Sequence, residues 1–308
     1  MFNKFSWNGS ASQKYTADYG SQPLFIDKTG DLSRNSNAPF MMDAPGCSLI
    51  ARPSSLSSDV QWDAKTTITT GRMIFNFSSA SSGFIFNNDI IIGGGTSTAG
   101  MEFSGIKSLD ATKNTTITIM KNGYFSAENF EEISDYNYFT LTENACLTLT
   151  PSKKTTTLPF TMSLSGSALS ELRYSDVLVR GSDISVSDDA TYILYADSIY
   201  PVNQRTFSIE SGSAEICLIG NIQPVEIKNL DVPIFNFSTQ NGTNNGHFIL
   251  ECTVNSIPLT SAFGKQVLLD SGLITVDDVV QKDDSRLNFE FNSIQTGLYN
   301  FMVISLKN

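Results

Sequence analysis

The chain has very little of what chemistry usually needs. It holds one histidine, His247, in 308 residues. A serine or cysteine triad would therefore have to use that residue, and no single-chain site with several histidine ligands can form. Its setting, Asn244-Asn245-Gly246-His247-Phe248, reads as a turn residue beside a strand start. Charge is also scarce: 17% of residues are charged, against roughly 25% in an average soluble protein. The balance is acidic, with a net charge of −11 and a pI near 4.5, which excludes a basic nucleic-acid binder. Long apolar runs are absent. Runs such as Ile90–Ile92 are a few residues long, far short of the 18 or so residues of a membrane-spanning helix, so no membrane insertion is expected. The opening MFNKFSWNGSASQKY lacks the apolar core of an export signal. The four cysteines, Cys47, Cys146, Cys217 and Cys252, form no C-x-x-C pair. A structural zinc site is excluded on that spacing, and isolated thiols are expected. Cys217–Cys252 is the one pairing worth testing.

What replaces the missing charge is Ser, Thr and Asn, about 30% of the chain by count. These residues alternate with apolar ones in short segments. Examples are Met73–Phe77, Thr116–Ile119, Leu147–Leu149, Phe160–Leu164, Ile184–Val186, Phe207–Ile209, Ile234–Phe237 and Leu287–Phe291. A period of two puts alternate side chains on one face of a β-strand. The β-branched and aromatic content agrees. Between the segments lie turn clusters such as Gly93-Gly94-Gly95, Asn122-Gly123, Asn241-Gly242 and Ser271-Gly272. Helical signals are few, with Leu169–Tyr174 and Glu128–Ile133 the segments for a turn or two.

Strand segments recur every 8–10 residues, and groups of two or three recur every 20–25. That is the coil of a parallel β-solenoid, and the fold expected is an all-β, right-handed parallel β-helix with an N-terminal cap. Antiparallel β-sandwich or jelly-roll domains are the alternative. They would show more two-residue hairpin turns than Asn122-Gly123 and Asn241-Gly242. Residues 1–65 hold both tryptophans, Trp7 and Trp62, and a Pro/Asn/Ser-rich middle. They are expected to form a cap or attachment segment, with the solenoid body over 66–264 and a strand-rich C-terminal cap over 265–308.

The last segment carries a resemblance. Gly272-Leu273-Ile274-Thr275-Val276 is followed by an acidic turn, then Asn288-Phe289-Glu290-Phe291, then Gly297-Leu298-Tyr299-Asn300-Phe301-Met302-Val303-Ile304. This order resembles the β-helical passenger regions of bacterial autotransporters and large surface adhesins. The resemblance implies a cell-surface or extracellular role. A phage or virus particle is the other setting for such a chain.

Few residues remain for chemistry. Asp183, Asp188 and Asp189 are the best carboxylates for a glycoside hydrolase pair. The Gly-His-Gly and Arg-x-Lys of β-helical polygalacturonases are broken here, at Gly246-His247-Phe248 and Arg286-Leu287-Asn288. Tyr192, Tyr195 and Tyr200 are the candidates for a sugar-stacking platform. Asp277, Asp278, Asp283 and Asp284 form an acidic cluster whose oxygen-rich turns would suit Ca²⁺, although Lys282 and Arg286 among them favour an ion-paired loop. No other cofactor is called for. The function expected is a non-enzymatic adhesin, fibre or building block that self-associates as a trimer or filament, or binds surface glycans. The alternatives are a carbohydrate-active β-helix enzyme, hydrolase or lyase, and a carbohydrate-binding module.

Overall fold

The computed structural model describes residues 2–26, 32–53, 58–77, 82–112, 114–133, 136–152, 155–157, 160–174, 176–179, 183–201, 207–222, 233–253, 262–293 and 299–307. Short parallel strands stack into a β-solenoid, the fold that the alternation implies. The chain divides into two compact units, 1–153 and 154–308.

In the first unit each coil contributes to three walls. One wall stacks Gln13–Thr16, Phe40–Asp43, Thr66–Ile68, Ile90–Ile92, Thr116–Ile119 and Tyr138–Leu141 in parallel register. A second wall runs through Ser48–Ala51, Arg72–Phe75, Gly100–Phe103, Tyr124–Ala127 and Cys146–Leu149. The third holds Val60–Trp62, Phe84–Phe86, Ser108–Ala111 and Glu132–Ile133. Apolar positions of every wall point into the coil. Phe75, Phe84, Phe103 and Phe125 are at most 2% exposed. The rings of Phe75 and Phe103 stack at 4.8 Å, and Phe125 follows Phe103 at 5.5 Å. Each such ring, taken out of water, contributes on the order of 1.5–3 kcal/mol.

The expected boundary at 65/66 is not a break in the strand pattern. Phe40 pairs Thr66 and Gln13 pairs Phe40, so the coil already turns within the first 65 residues. What closes that end is Arg34, which is fully buried. Its guanidinium donates to the carbonyls of Asn8, Ala11 and Ala38 and to Gln13 Oε1. It also lies 5.3 Å from the Trp7 ring and 5.4 Å from that of Phe40. Trp62, also fully buried, donates its indole N–H to Thr66 Oγ1 at 2.8 Å.

The second unit repeats the scheme. One wall stacks Thr161–Leu164, Ile184–Val186, Phe207–Ile209, Phe235–Phe237 and Ile274–Val276. Another stacks Leu169–Arg173, Thr191–Tyr195, Glu215–Ile219 and the strand His247–Thr253. This wall ends differently: Tyr299–Leu306 adds antiparallel to His247–Thr253, and Leu287–Ser293 adds antiparallel to Tyr299–Leu306. Those are the strands of the expected C-terminal cap. Ile274–Val276 instead joins the parallel stack, and Ala262–Asp270 is an α-helix. The two segments with helical signals are strand: Leu169–Arg173 and Gly123–Phe130 with Glu132–Ile133. Their helix-favouring Leu, Glu and Arg are overruled by hydrogen bonding to the next coil. No helix of the described residues is long and apolar enough to cross a membrane.

Candidate functional site

The first wall of the second unit carries a row of small polar residues. Register places Ser163, Ser185, Ser208, Asn236 and Thr275 side by side, one per coil. The last three hydrogen-bond along the stack. Thr275 Oγ1 donates to Asn236 Oδ1 at 2.8 Å, Asn236 Nδ2 donates to Ser208 Oγ at 3.3 Å, and Ser208 Oγ donates to Glu210 Oε1 at 2.5 Å. Carboxylates at the strand ends turn this row into a groove of about 320 Å³, whose lining includes Asp183, Glu210, Asp277 and Asp278. The groove brings together acids that stand far apart in the sequence.

These acids are tied to the fold. Asp277 and Asp278 both have positive φ, 52° and 63°, which Asp tolerates better than most residues. The Asp277 carboxylate accepts the Thr239 backbone N–H and hydroxyl, both at 2.7 Å, and lies 3.5 Å from Arg286. The donors on Thr239, with Arg286, hold the carboxyl below the usual carboxylate range. Asp188 sits at φ 59° and accepts the Gly166 N–H at 2.9 Å. It lies with Asp189 in the turn beyond Val186, whereas Asp183 precedes Ile184, so the strand separates Asp183 from the other two. Asp188 and Asp189 do not line the groove. Asp283 and Asp284 do not reach it either. Asp283 accepts from Ser285, and Asp284 pairs with Lys265; these partners lower both carboxyl pKa values. Among the described residues no group of three or more His, Cys, Asp or Glu side chains is placed to hold a metal ion.

The tyrosine platform needs correction. Tyr192 is fully buried, its ring 5.8 Å from Phe207 inside the coil. Tyr195 lies on the other face, half-buried, with the Arg173 guanidinium 4.5 Å above its ring. Three residues apart on a strand means opposite faces, so the two cannot form one surface. The Tyr200 side chain lies outside the described residues. His247 begins a strand, as expected, and pairs Glu215 on the preceding coil. Cys217 pairs Ile249 and is a free thiol, pushed up to about 12 chiefly by burial. The Cys217–Cys252 bridge is therefore not formed.

Sequence reasoning missed a second cavity, on the second wall. Its register row is Arg173, Tyr195 and Ile219, and on the next coil Glu251 follows Leu250, the partner of Leu218. After Tyr195 the register slips, so that Ala196 and Asp197 oppose the single residue Gly220. Gly220 has φ 142°, and a Cβ there would fall 1.7 Å from the Ala196 carbonyl oxygen. Only glycine accommodates this bulge. Beside it opens a cavity of about 320 Å³ lined by Tyr174, Tyr195, Asp197, Ile219, Gly220 and Glu251, with Ala196. Glu251 is 3% exposed and its Oε2 has no hydrogen-bond partner. Tyr174 is 6% exposed and its hydroxyl has none either. Burial raises both pKa values. In the sequence Glu251 reads as one more polar position of an alternating strand.

No protein-family model matches this chain, and neither a curated protein nor a solved structure does.

Proposed function

We propose that this chain is a non-enzymatic, structural or adhesive β-solenoid of a cell surface or virus particle. One observation carries the reading. Carboxylates that the sequence offers for chemistry serve as fastenings between coils: the catalytic candidate Asp188 to Gly166, and the calcium candidate Asp277 to Thr239. Asp277 is a poor general acid in this setting, because the donors on Thr239 drive its pKa down rather than up. Ser208, Asn236 and Thr275 of the polar row belong to the same scheme, with hydroxyls and an amide bonding from coil to coil.

The test combines assembly and turnover. Mass measurement and electron microscopy are expected to show trimers or filaments, and incubation with polysaccharides is expected to release no reducing ends. A strict monomer that cleaves a polysaccharide, and loses that activity in Asp183→Asn, overturns the reading.

A carbohydrate-active enzyme or binding module is the second reading. It has one observation in its favour: Asp183, Glu210, Asp277 and Asp278 line a single groove. A glycan array without hits, together with unchanged polysaccharide in the turnover assay, would remove it.

A further inference from the structure

We infer that the outer edge of the strand Leu287–Ser293 is a self-association surface, on which a second copy of this chain adds its own Leu287–Ser293 antiparallel. The inference rests on the structural reading above and names the surface through which such a chain assembles.

Strand edges in this chain are finished differently. At the start of the first unit, the side chains of Gln13 and Gln22 tie the backbone of Asn3, Phe5, Ser6 and Asn8 to the strands that they open. The strand Leu287–Ser293 closes the second wall of the second unit and pairs with Tyr299–Leu306 on one side. Among the described residues no strand pairs with its other edge. Native edges are usually blunted by lysine, proline, a bulge or a covering segment. This strand has no lysine and no proline, Glu290 is its one charge, and its register runs without a shift.

The backbone determines which groups that edge offers. Lys307 N–H donates to the Arg286 carbonyl at 2.9 Å, so 286 and 307 are a hydrogen-bonded pair. Such pairs alternate along an antiparallel ladder. Asn288 and Glu290 therefore bond to Tyr299–Leu306, while Phe289 and Phe291 turn N–H and C=O outward. The Leu287 carbonyl turns outward too, its N–H being taken by the Asp284 carbonyl at 3.2 Å. A two-fold axis through Phe289 uses these groups. Phe289 exchanges both bonds with its own copy, and each Phe291 N–H meets a Leu287 carbonyl. The side chains match in that register. Leu287, Phe289 and Phe291 share one face. Leu287 is buried, Phe289 half-buried and Phe291 40% exposed. Across the axis Phe289 faces Phe289, Phe291 faces Leu287, and the exposed Glu290 faces the exposed Asn288. Aromatic and apolar cross-strand pairs stabilise a ladder, and like charges directly opposite weaken it. An axis at Glu290 would set carboxylate against carboxylate, and one at Asn288 would leave Phe291 opposite Ser285. The strand is thus complementary to itself in one register, which selects a second copy as its occupant.

The test follows the full chain by sedimentation over a dilution series, beside Phe291→Pro and Phe291→Lys. Proline at 291 removes an outward N–H and leaves the chain's own ladder intact. Both variants should weaken association about tenfold or more. Phe291→Lys decides the matter if Phe291→Pro does not fold. The register is tested by mixing Asn288→Cys with Glu290→Cys. Opposite residues of a non-hydrogen-bonded pair lie about 4.5 Å apart at Cα, within reach of a disulfide, whereas diagonal ones, at about 7–8 Å, do not. The mixture should cross-link, and either variant alone should stay at the background that the four native cysteines set in the parent chain. The inference is overturned if the parent stays monomeric at every dilution, if folded Phe291→Lys associates like the parent, or if one variant alone cross-links as well as the mixture. Closed trimers, which a two-fold contact cannot build, or filaments unchanged in Phe291→Lys would sink this inference and leave the structural reading standing.

Discussion

The second wall of the first unit and the second wall of the second unit are built alike but treat their polar groups differently. In the first, Arg72, Gly100 and Tyr124 form one register row, and Ile74, Glu102 and Ser126 the next outward one. Glu102 accepts the Tyr124 hydroxyl and lies 3.6 Å from Arg72. The acid thus has a phenol and a cation as diagonal neighbours on adjoining coils. In the second unit the corresponding polar groups are spread along one row. Arg173 opens the row, Tyr195 and Ile219 continue it, and Glu251 follows Leu250, the partner of Leu218, on the coil after that. Three strand spacings of about 4.8 Å put Arg173 and Glu251 roughly 14 Å apart. Arg173 pairs with Glu171 instead, and Glu251 is left with an unsatisfied oxygen. Glu102 thus finds its partners on the adjoining coils, whereas Glu251 Oε2 finds none.

Three substitutions break or sharpen this contrast. The largest effect is expected at Phe103, whose ring backs the second wall of the first unit between Phe75 and Phe125. Phe103→Ala should cost about 3–5 kcal/mol, read as a lower urea midpoint. Next is Gly100→Ala. A Cβ there would fall 2.2 Å from Tyr124 Cζ, so the ring must leave Glu102. The expected cost is about 1–3 kcal/mol. Burial and the bond to Glu102 raise the Tyr124 pKa, so a spectrophotometric titration should show that tyrosine moving back toward its ordinary value.

The smallest effect is expected at Glu251. Its pKa is raised in the folded chain, by burial alone. The folded state therefore holds this proton to higher pH than the unfolded state does. Stability from this group is full below the ordinary glutamate pKa and declines as pH rises through the raised value. Asp277 runs the opposite way: its lowered pKa makes its contribution present at neutral pH and lost in acid. Glu251→Gln should remove the first decline and leave the acid limb unchanged. At neutral pH it should gain on the order of 1 kcal/mol, measured as urea midpoints across a pH series. A parallel shift at every pH would show that Glu251 is not the titrating group.

Most strands were legible because burial on one face leaves a period of two in the side chains. Thr116–Ile119, Ile184–Val186 and Phe207–Ile209 match their expected bounds. The same parity rule, applied to Tyr192 and Tyr195, separates them in advance; grouping them by residue type overlooked it. The helix Ala262–Asp270 was not legible, since its pattern sits inside the segment read as strands. The bulge at Ala196 and Asp197 was hidden too. A register slip depends on the neighbouring coil, and the residue that permits it, Gly220, lies 24 positions from Ala196.

By itself the sequence determined the class of structure: alternating strands, small polar residues on alternate positions, and a scarcity of catalytic side chains. Those follow from each residue's own chemistry and its nearest neighbours along the chain. Only the tertiary structure decided which side chains meet. Stacking joins residues far apart in the chain, 22 positions between Thr116 and Tyr138 and 39 between Asn236 and Thr275, where the coil carries the helix. The lengths of the intervening turns set those partners. They put Asp183 in one groove with Asp277, and they left Glu251 Oε2 and the Tyr174 hydroxyl buried with hydrogen bonds unmade.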